Sequence, residues 1–202
     1  MKIFGHPMST CTRRVLATLV ETNTPYELVL IDFAKGEHKQ PAHVARQPFG
    51  KVPTLDDDGF TMYESRAMCR YINEKAGGKL VPSDIRGRAV MEQWISIEAS
   101  YFMTPTMTFA FQHVFQRPQE PAKLEAAQKE LDVTMPVLDA HLAKHAYFAG
   151  ADFSLADISF MPYVDYGMMT PLKDSFDKYA SFTAWWSRVS ERPSWRKVTG
   201  RA

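Results

Sequence analysis

Cysteine is scarce: the 202 residues hold two, Cys11 and Cys69. Two thiols so far apart in sequence make no disulfide framework, which fits a reducing compartment. No apolar run approaches the roughly 20 residues that span a bilayer, and the opening Met1-Lys2-Ile3-Phe4-Gly5-His6-Pro7 lacks the apolar stretch of a secretory signal. There is no surplus of one charge. Lys and Arg number 24 against 23 Asp and Glu, a net +1, so no general field draws in nucleic acid or an anionic membrane. No glycine-rich phosphate loop is present, and the six histidines and the acidic residues show no metal-ligand spacing. Repeats and low-complexity segments are absent too. These absences leave a soluble, cytoplasmic chain of ordinary globular composition, with no metal and no nucleic-acid or membrane partner expected.

What is present divides in two. Residues 2–4 form a short apolar run stopped by Gly5 and Pro7, and Val15, Leu16, Leu19 and Val20 then share one helical face. Thr22-Asn23-Thr24-Pro25 ends that helix, and Tyr26 to Ile31 is rich in strand formers. Residues 32–50, with Gly36, Pro41, Pro48 and Gly50, read as loop with at most a weak helix. Val52–Leu55 and Phe60–Tyr63 flank Asp56-Asp57-Asp58-Gly59, and Asp-Gly suits the positive φ angles of a tight hairpin turn. Ser65 opens a helix to about Lys75, with Met68, Cys69 and Ile72 on its apolar face. The order β-α-β, hairpin, α predicts a mixed four-stranded sheet of thioredoxin-like type over residues 1–76. The first two strands are joined by a helix and run parallel, and the last two are antiparallel. Gly77 to Ser83 reads as a linker. From 84 to 202 the pattern is all helical, a bundle domain. Leu124, Ala127, Leu131, Met135, Leu138 and Leu142 keep helical spacing, with Pro136 expected to kink that helix. Ser154-Leu155-Ala156-Asp157 has the form of a capping box.

Several residues have chemistry as well as a plainer use. Ser9 stands where the first helix begins. Its hydroxyl can cap the helix or donate a hydrogen bond to a bound thiolate. A free thiol of pKa about 8.5 is about 3% ionised at pH 7, and lowering it by about 2 units takes about 2.7 kcal/mol. One hydrogen bond to a charged group supplies about 1.5–3 kcal/mol and a helix terminus about 0.3–1, so one hydroxyl at one helix end suffices. Cys11 is either a nucleophilic thiol or a small apolar lining residue, and with no Cys-x-x-Cys the dithiol chemistry of thioredoxin is excluded. Arg13 and Arg14 either add positive potential or are solvated, the more frequent state of arginine on a first helix. Val52-Pro53 is either an ordinary trans proline, the more frequent case, or a cis one at the start of a strand, which would turn the main-chain groups of Val52 outward toward an extended peptide. Glu64-Ser65 opens a helix, either as a plain cap or as a grip for an amine and a carboxylate. His38 and Lys39 are a solvated loop pair or a carboxylate clamp. Taken together, the chemical readings describe one ligand, a short peptide bearing a thiol, an amine and carboxylates: glutathione.

The sequence resembles the cytosolic glutathione transferases, the phi class most closely. The resemblance is carried by Phe4-Gly5-His6-Pro7-Met8-Ser9, Gly36-Glu37-His38-Lys39, Gln47-Pro48-Phe49-Gly50-Lys51-Val52-Pro53, Phe60-Thr61-Met62-Tyr63-Glu64-Ser65-Arg66-Ala67, and Phe148-Ala149-Gly150 with Phe153-Ser154-Leu155-Ala156-Asp157. It implies that Ser9 stabilises the glutathione thiolate and that His38 and Lys39 hold the glycine carboxylate. It further implies that Val52 pairs with the cysteinyl backbone before a cis Pro53, and that Glu64 and Ser65 bind the γ-glutamyl end. Lys51 stands where the phi pattern usually has Gln, so binding is expected to survive with altered contacts. The resemblance places an apolar electrophile between the domains, lined by Met8, Cys11 and Phe33 from the first and by Tyr101, Phe109, His113, Phe115 and Tyr166 from the second, although those aromatics serve equally as bundle core. It also implies a homodimer with Met62 and Tyr63 in the contact, and conjugation or hydroperoxide reduction as the activity. Two alternatives stay open: a glutathione-dependent thiol transferase acting through Cys11, and a non-catalytic carrier of apolar ligands.

Overall fold

The computed structural model describes residues 1–201, which fall into two compact units. The first comprises Met1–Leu80 and the segment from Pro193 onward. Its strands are β1 (Lys2–Gly5), β2 (Glu27–Leu30), β3 (Thr54–Asp57) and β4 (Phe60–Met62), and its helices include α1 (Thr10–Glu21) and α3 (Ser65–Lys75). The sheet order is β2-β1-β3-β4. β1 runs parallel to β2, with Ile3 opposite Leu28, and antiparallel to β3, with Phe4 opposite Thr54. β3 and β4 form the expected hairpin. Its turn places Asp58 at φ 53° and Gly59 at φ 92°, while Asp56 Oδ1 accepts the Gly59 N–H at 3.0 Å. Asp-Gly is selected because both positions need positive φ. Ile3, Leu55, Val15, Leu19, Met68 and Ile72 are wholly buried and form this unit's core.

The stretch between β2 and β3 carries more structure than its polarity suggests. A 3-10 turn (Glu37–Lys39) is followed by the single-turn helix α2 (Pro41–Val44). Pro41 sits at the first helical position, where its fixed φ is an asset and its missing N–H costs nothing. The Glu37 carboxylate accepts the Asp32 N–H at 2.7 Å and so closes the loop on itself.

At the end of β3, Asp57 is buried and accepts hydrogen bonds from the Tyr71 hydroxyl at 2.6 Å and from Lys75, both on α3. Lys75 first, then Tyr71, holds the Asp57 carboxyl below the usual carboxylate value. A lowered folded pKa means the unfolded chain binds the proton more readily. The stabilisation is therefore complete above the unfolded value of about 3.9 and fades as pH falls through the lower folded one. Urea unfolding of Asp57→Asn is expected to show a weaker fold at neutral pH and a gap to the parent that closes below about pH 4. A gap constant from pH 7 to 3 would refute this assignment.

The second unit runs from Val81 to Arg192. It contains α4 (Ile85–Ile97), a π-helical turn (Glu98–Phe102), α5 (Met103–His113), α6 (Pro121–Leu142), α7 (Leu155–Gly167), α8 (Leu172–Phe176) and α9 (Ala180–Ser190). Every residue of α7 is buried, so it forms the centre of the bundle, with α4, α5 and α9 against it. α6 continues through Pro136 to Leu142 as one helix. The capping box at Ser154 is formed, with Asp157 reaching back to the Ser154 N–H. The last helix, α10 (Pro193–Thr199), groups with the first unit, although helical pattern alone puts it with residues 84–202. Ser194 bonds to Glu21 of α1, and Trp195 is wholly buried. Helical spacing fixes which face is apolar but not which body that face meets. No helix among the described residues is long and apolar enough to cross a membrane.

Candidate active site

Sheet direction gathers the chemistry-bearing residues. Phe4 pairs with Thr54, so the chain leaving β1 toward Ser9 passes the chain entering β3 through Lys51, Val52 and Pro53. Gly5 pairs with Leu30, which sends the segment carrying Phe33 and His38 from the same end. Met62 pairs with Leu55, so β4 also finishes there and hands over to Glu64 and Ser65. All four segments leave one edge of the sheet, the carboxyl end of the parallel pair, where open α/β sheets bind ligands.

Ser9 is the N-cap of α1: its Oγ accepts the Thr12 N–H at 3.3 Å. The capping use and the chemical use are compatible. A hydroxyl has two acceptor lone pairs and one proton, and capping consumes only a lone pair. The turn before it is tied down by α1 itself. Arg13 Nε donates to the Pro7 carbonyl at 2.7 Å, Ser9 N–H to the His6 carbonyl at 2.9 Å, and Met8 N–H to His6 Nδ1 at 3.1 Å. Gly5 is required because a Cβ there would lie 2.8 Å from the buried Thr12 side chain.

The Lys51–Pro53 segment is held from beneath by two buried side chains that sequence reasoning missed. His43 Nε2 meets the Lys51 carbonyl at 2.6 Å, and Gln47 Oε1 accepts the Lys51 N–H at 3.1 Å. Their four-residue spacing is the only signal, and it lies inside a stretch too polar to read as helix. The Val52-Pro53 bond is cis. Lys39 Nζ donates to the Phe49 carbonyl at 3.1 Å, and a Cβ on Gly50 (φ 58°) would lie 2.9 Å from the His38 carbonyl. The 38–39 turn therefore packs on residues 49–50. Burial, then the charges of Lys39, His43 and Lys51, holds His38 below the usual imidazole value, and its Nδ1 is enclosed without a hydrogen-bond partner.

Glu64 is exposed and takes φ 71°, ψ 98° at the N-cap position of α3, a left-handed conformation strained for a residue with a Cβ. Ser65, the next residue, is buried, and its Oγ accepts a hydrogen bond from Arg14 Nη1 at 3.2 Å. The expectation of solvated arginines fails here: Arg13 is buried and Arg14 is 0% exposed.

The model of the glutathione S-transferase N-terminal domain matches residues 1–74, and that of the C-terminal domain matches residues 102–193. Glutathione S-transferase F9 of Arabidopsis thaliana is 35% identical over 100% of this chain and 97% of its own. The chain belongs to the glutathione S-transferase family. Among solved structures, glutathione transferase F2 from Populus trichocarpa has a TM-score of 0.94 at 32% identity, covering 99% of this chain and 98% of that one. Glutathione S-transferase I from mais, in complex with an atrazine glutathione conjugate, has a TM-score of 0.90 at 33% identity, covering 99% and 96%. The four-stranded mixed sheet and the helical second unit are the architecture of this family.

Of the eight residues that the family resemblance assigns to an acceptor pocket, three lie in the first unit. Met8 and Phe33 are each 41% exposed, Cys11 is half-buried, and the His6 ring packs between Met8's turn and Phe33, 5.0 Å from the Phe33 ring. In the second unit, Tyr101 is exposed on the π-helical turn, and Phe109 and His113 stack at 6.3 Å on α5. Phe115 meets Tyr166 edge-on at 5.0 Å, and Tyr166 is fully enclosed in the bundle. The two thiols of this glutathione S-transferase family member are unlike. Cys69 is buried on α3 beside the Arg14 carbonyl, 3.7 Å away, and burial pushes its pKa up to about 11. Alkylation of the native protein with iodoacetamide is expected to mark Cys11 and spare Cys69, as read by peptide mass spectrometry, and to mark both after denaturation. Native labelling of Cys69 would overturn that ranking.

Proposed function

We propose that this chain binds glutathione, holds its thiol as thiolate at Ser9 and adds it to apolar electrophiles, as a phi-class-like, serine-type transferase with a secondary capacity to reduce organic hydroperoxides. The observation that carries the reading is the Ser9 hydroxyl at the N-terminus of α1, capping with a lone pair and keeping its proton for a ligand. A thiolate there also meets the positive end of the helix dipole.

The other groups take the rest of the peptide. Glu64 and Ser65 hold the γ-glutamyl amine and carboxylate, the Val52 main chain before Pro53 pairs with the cysteinyl residue, and His38, Lys39 and Lys51 meet the glycine carboxylate. His38 acts as a neutral donor through Nε2, since Nδ1 is enclosed, and Lys39 and Lys51 supply the charge. The exposed Met8 and Phe33 beside the Ser9 turn favour an apolar acceptor. The mais relative's glutathione conjugate of atrazine is an acceptor product of that kind. In this reading residues 1–76 are the glutathione domain, 77–83 the linker and 84–202 the source of the remaining acceptor contacts. The protein works as a cytoplasmic homodimer in detoxification. The exposed Phe49, edge-on to Tyr63 at 6.2 Å, supports an apolar subunit contact.

The test is the ultraviolet difference spectrum with glutathione, titrated against pH, together with turnover of a generic aryl halide. Thiolate absorbance titrating about 2 units below the free thiol's value of about 8.5, with conjugation, supports the reading. Absorbance that vanishes in Cys11→Ala and persists in Ser9→Ala would replace it with a Cys11 thiol transferase. Binding of apolar ligands with no thiolate and no turnover would replace it with a carrier.

A further inference from the structure

We propose that Arg14 is a positioning residue for the γ-glutamyl carboxylate of glutathione, acting through the Ser65 hydroxyl. The proposal rests on the reading of Ser65 as a ligand of that carboxylate. Arg14 is on α1, five residues beyond Ser9, with its side chain enclosed and Nη1 donating to Ser65 Oγ at 3.2 Å. A guanidinium has donors and no acceptor, so the direction of this bond is fixed and Ser65 Oγ spends a lone pair on it. The single hydroxyl proton must then point elsewhere, and no other hydrogen bond from the Ser65 side chain is formed among the described residues. A free serine rotor would sample three staggered positions. The bond from Arg14 removes the one facing the guanidinium.

The surroundings of this pair are cross-linked. The Arg14 carbonyl accepts the Thr18 hydroxyl at 3.0 Å and the Cys69 thiol at 3.7 Å, so α1 and α3 are joined by main-chain and side-chain links at one level. Glu64, held at φ 71°, fixes the turn from which Ser65 projects. Support of this kind, from residues that do not themselves touch the ligand, sets how closely a binding group holds its productive position. A carboxylate on the Ser65 proton would complete a line of guanidinium, hydroxyl and anion. Such a line strengthens each bond in it where water is excluded, and the arginine cannot lose its charge to the burial. The same α1 thus presents Ser9 to the thiol and, through Arg14, Ser65 to the opposite end of the tripeptide.

The experiment compares dissociation constants of glutathione and of 4-aminobutyryl-cysteinylglycine, which lacks only the γ-glutamyl α-carboxylate. The proteins are the parent, Arg14→Met, Arg14→Lys, Ser65→Ala and the double variant Arg14→Met/Ser65→Ala. The parent is expected to favour glutathione. Arg14→Met should weaken glutathione about tenfold and leave the analogue unchanged, Arg14→Lys should fall between, and the double variant should be no weaker than Ser65→Ala alone, as coupled residues behave. Equal weakening of both ligands, or losses that add in the double variant, would reduce Arg14 to a structural role and overturn the proposal. If Arg14→Met does not fold, Arg14→Lys carries the same ratio test, and an unchanged ratio overturns it. A parent that binds both ligands equally, or a ratio indifferent to Ser65→Ala, removes the reading of Ser65 itself and the proposal with it. A ratio sensitive to Ser65→Ala and indifferent to Arg14 removes the proposal alone.

Discussion

Ser9→Ala is expected to raise the pKa of the bound glutathione thiol by about 1–2 units and to lower kcat/KM for an aryl halide about 10- to 100-fold at neutral pH. The size follows from one hydrogen bond to a charged acceptor, about 1.5–3 kcal/mol, at 1.36 kcal/mol per pKa unit and per decade of rate. The substitution also removes the cap on α1, where Ser9 Oγ now accepts the Thr12 N–H at 3.3 Å, and caps of this kind are worth about 1 kcal/mol of stability. The two effects separate cleanly in Ser9→Gly. Glycine is a tolerated N-cap, costing a few tenths of a kcal/mol, yet it offers the thiolate nothing. Activity should therefore fall as far in Ser9→Gly as in Ser9→Ala, while the melting temperature stays closer to that of the parent. If activity instead tracks stability across the two variants, Ser9 is a cap and no more. If the thiol pKa is unmoved in both, the activating group lies elsewhere and Cys11 is the next residue to replace.

Those parts of the molecule that obey local rules were legible in the sequence. Asp58-Gly59 announced its hairpin because few residues accept two consecutive positive φ angles. Ser65 to Lys75 could be read as a helix from apolar spacing, and the Ser154–Asp157 box from its own four residues. What stayed hidden depends on contacts distant in sequence. From sequence, Arg14 reads as solvated on a helix whose apolar face is Val15, Leu16 and Leu19. It is buried, and one of its partners is Ser65, which lies 51 positions away. His43 and Gln47 looked like loop residues because α2 is one turn long, and their role under Lys51 comes from the return of the chain into β3. α10 carries the same helical signal as its predecessors, and nothing in that signal shows that Ser194 meets Glu21 of the first unit. For the candidate site, residue types and order were enough to nominate Ser9, Glu64 and Ser65. That capping leaves the Ser9 proton unspent is a matter of hydroxyl lone pairs, visible only once the donors are placed.

Asp157→Ala is expected to produce the largest loss of stability, about 3–5 kcal/mol, enough to leave most of the chain unfolded or insoluble at 37 °C given ordinary margins. The carboxyl is wholly buried and accepts four hydrogen bonds: Phe148 N–H at 3.1 Å, Trp185 Nε1–H at 2.8 Å, Ser154 N–H at 2.9 Å and Ser154 Oγ–H at 3.0 Å. Alanine would leave those donors facing a void, and each buried unsatisfied donor costs about 1–3 kcal/mol before relaxation. The residues it joins are structural hubs. Phe148 stacks on Phe160 at 4.2 Å and meets Trp185 at 5.0 Å, so the loop before α7, the helix itself and α9 all depend on the same two oxygens. Asp157→Asn keeps the shape but turns one oxygen into an amino group aimed at existing donors, so it should recover little. Ser154→Ala, which removes one donor and the hydroxyl that receives the Ala156 N–H at 3.2 Å, should cost only about 1 kcal/mol. Denaturant midpoints for the three variants decide the matter. If Asp157→Asn is close to the parent, the carboxyl acts mainly by filling space, whereas a cost for Ser154→Ala equal to that of Asp157→Ala would place the energy in the cap alone.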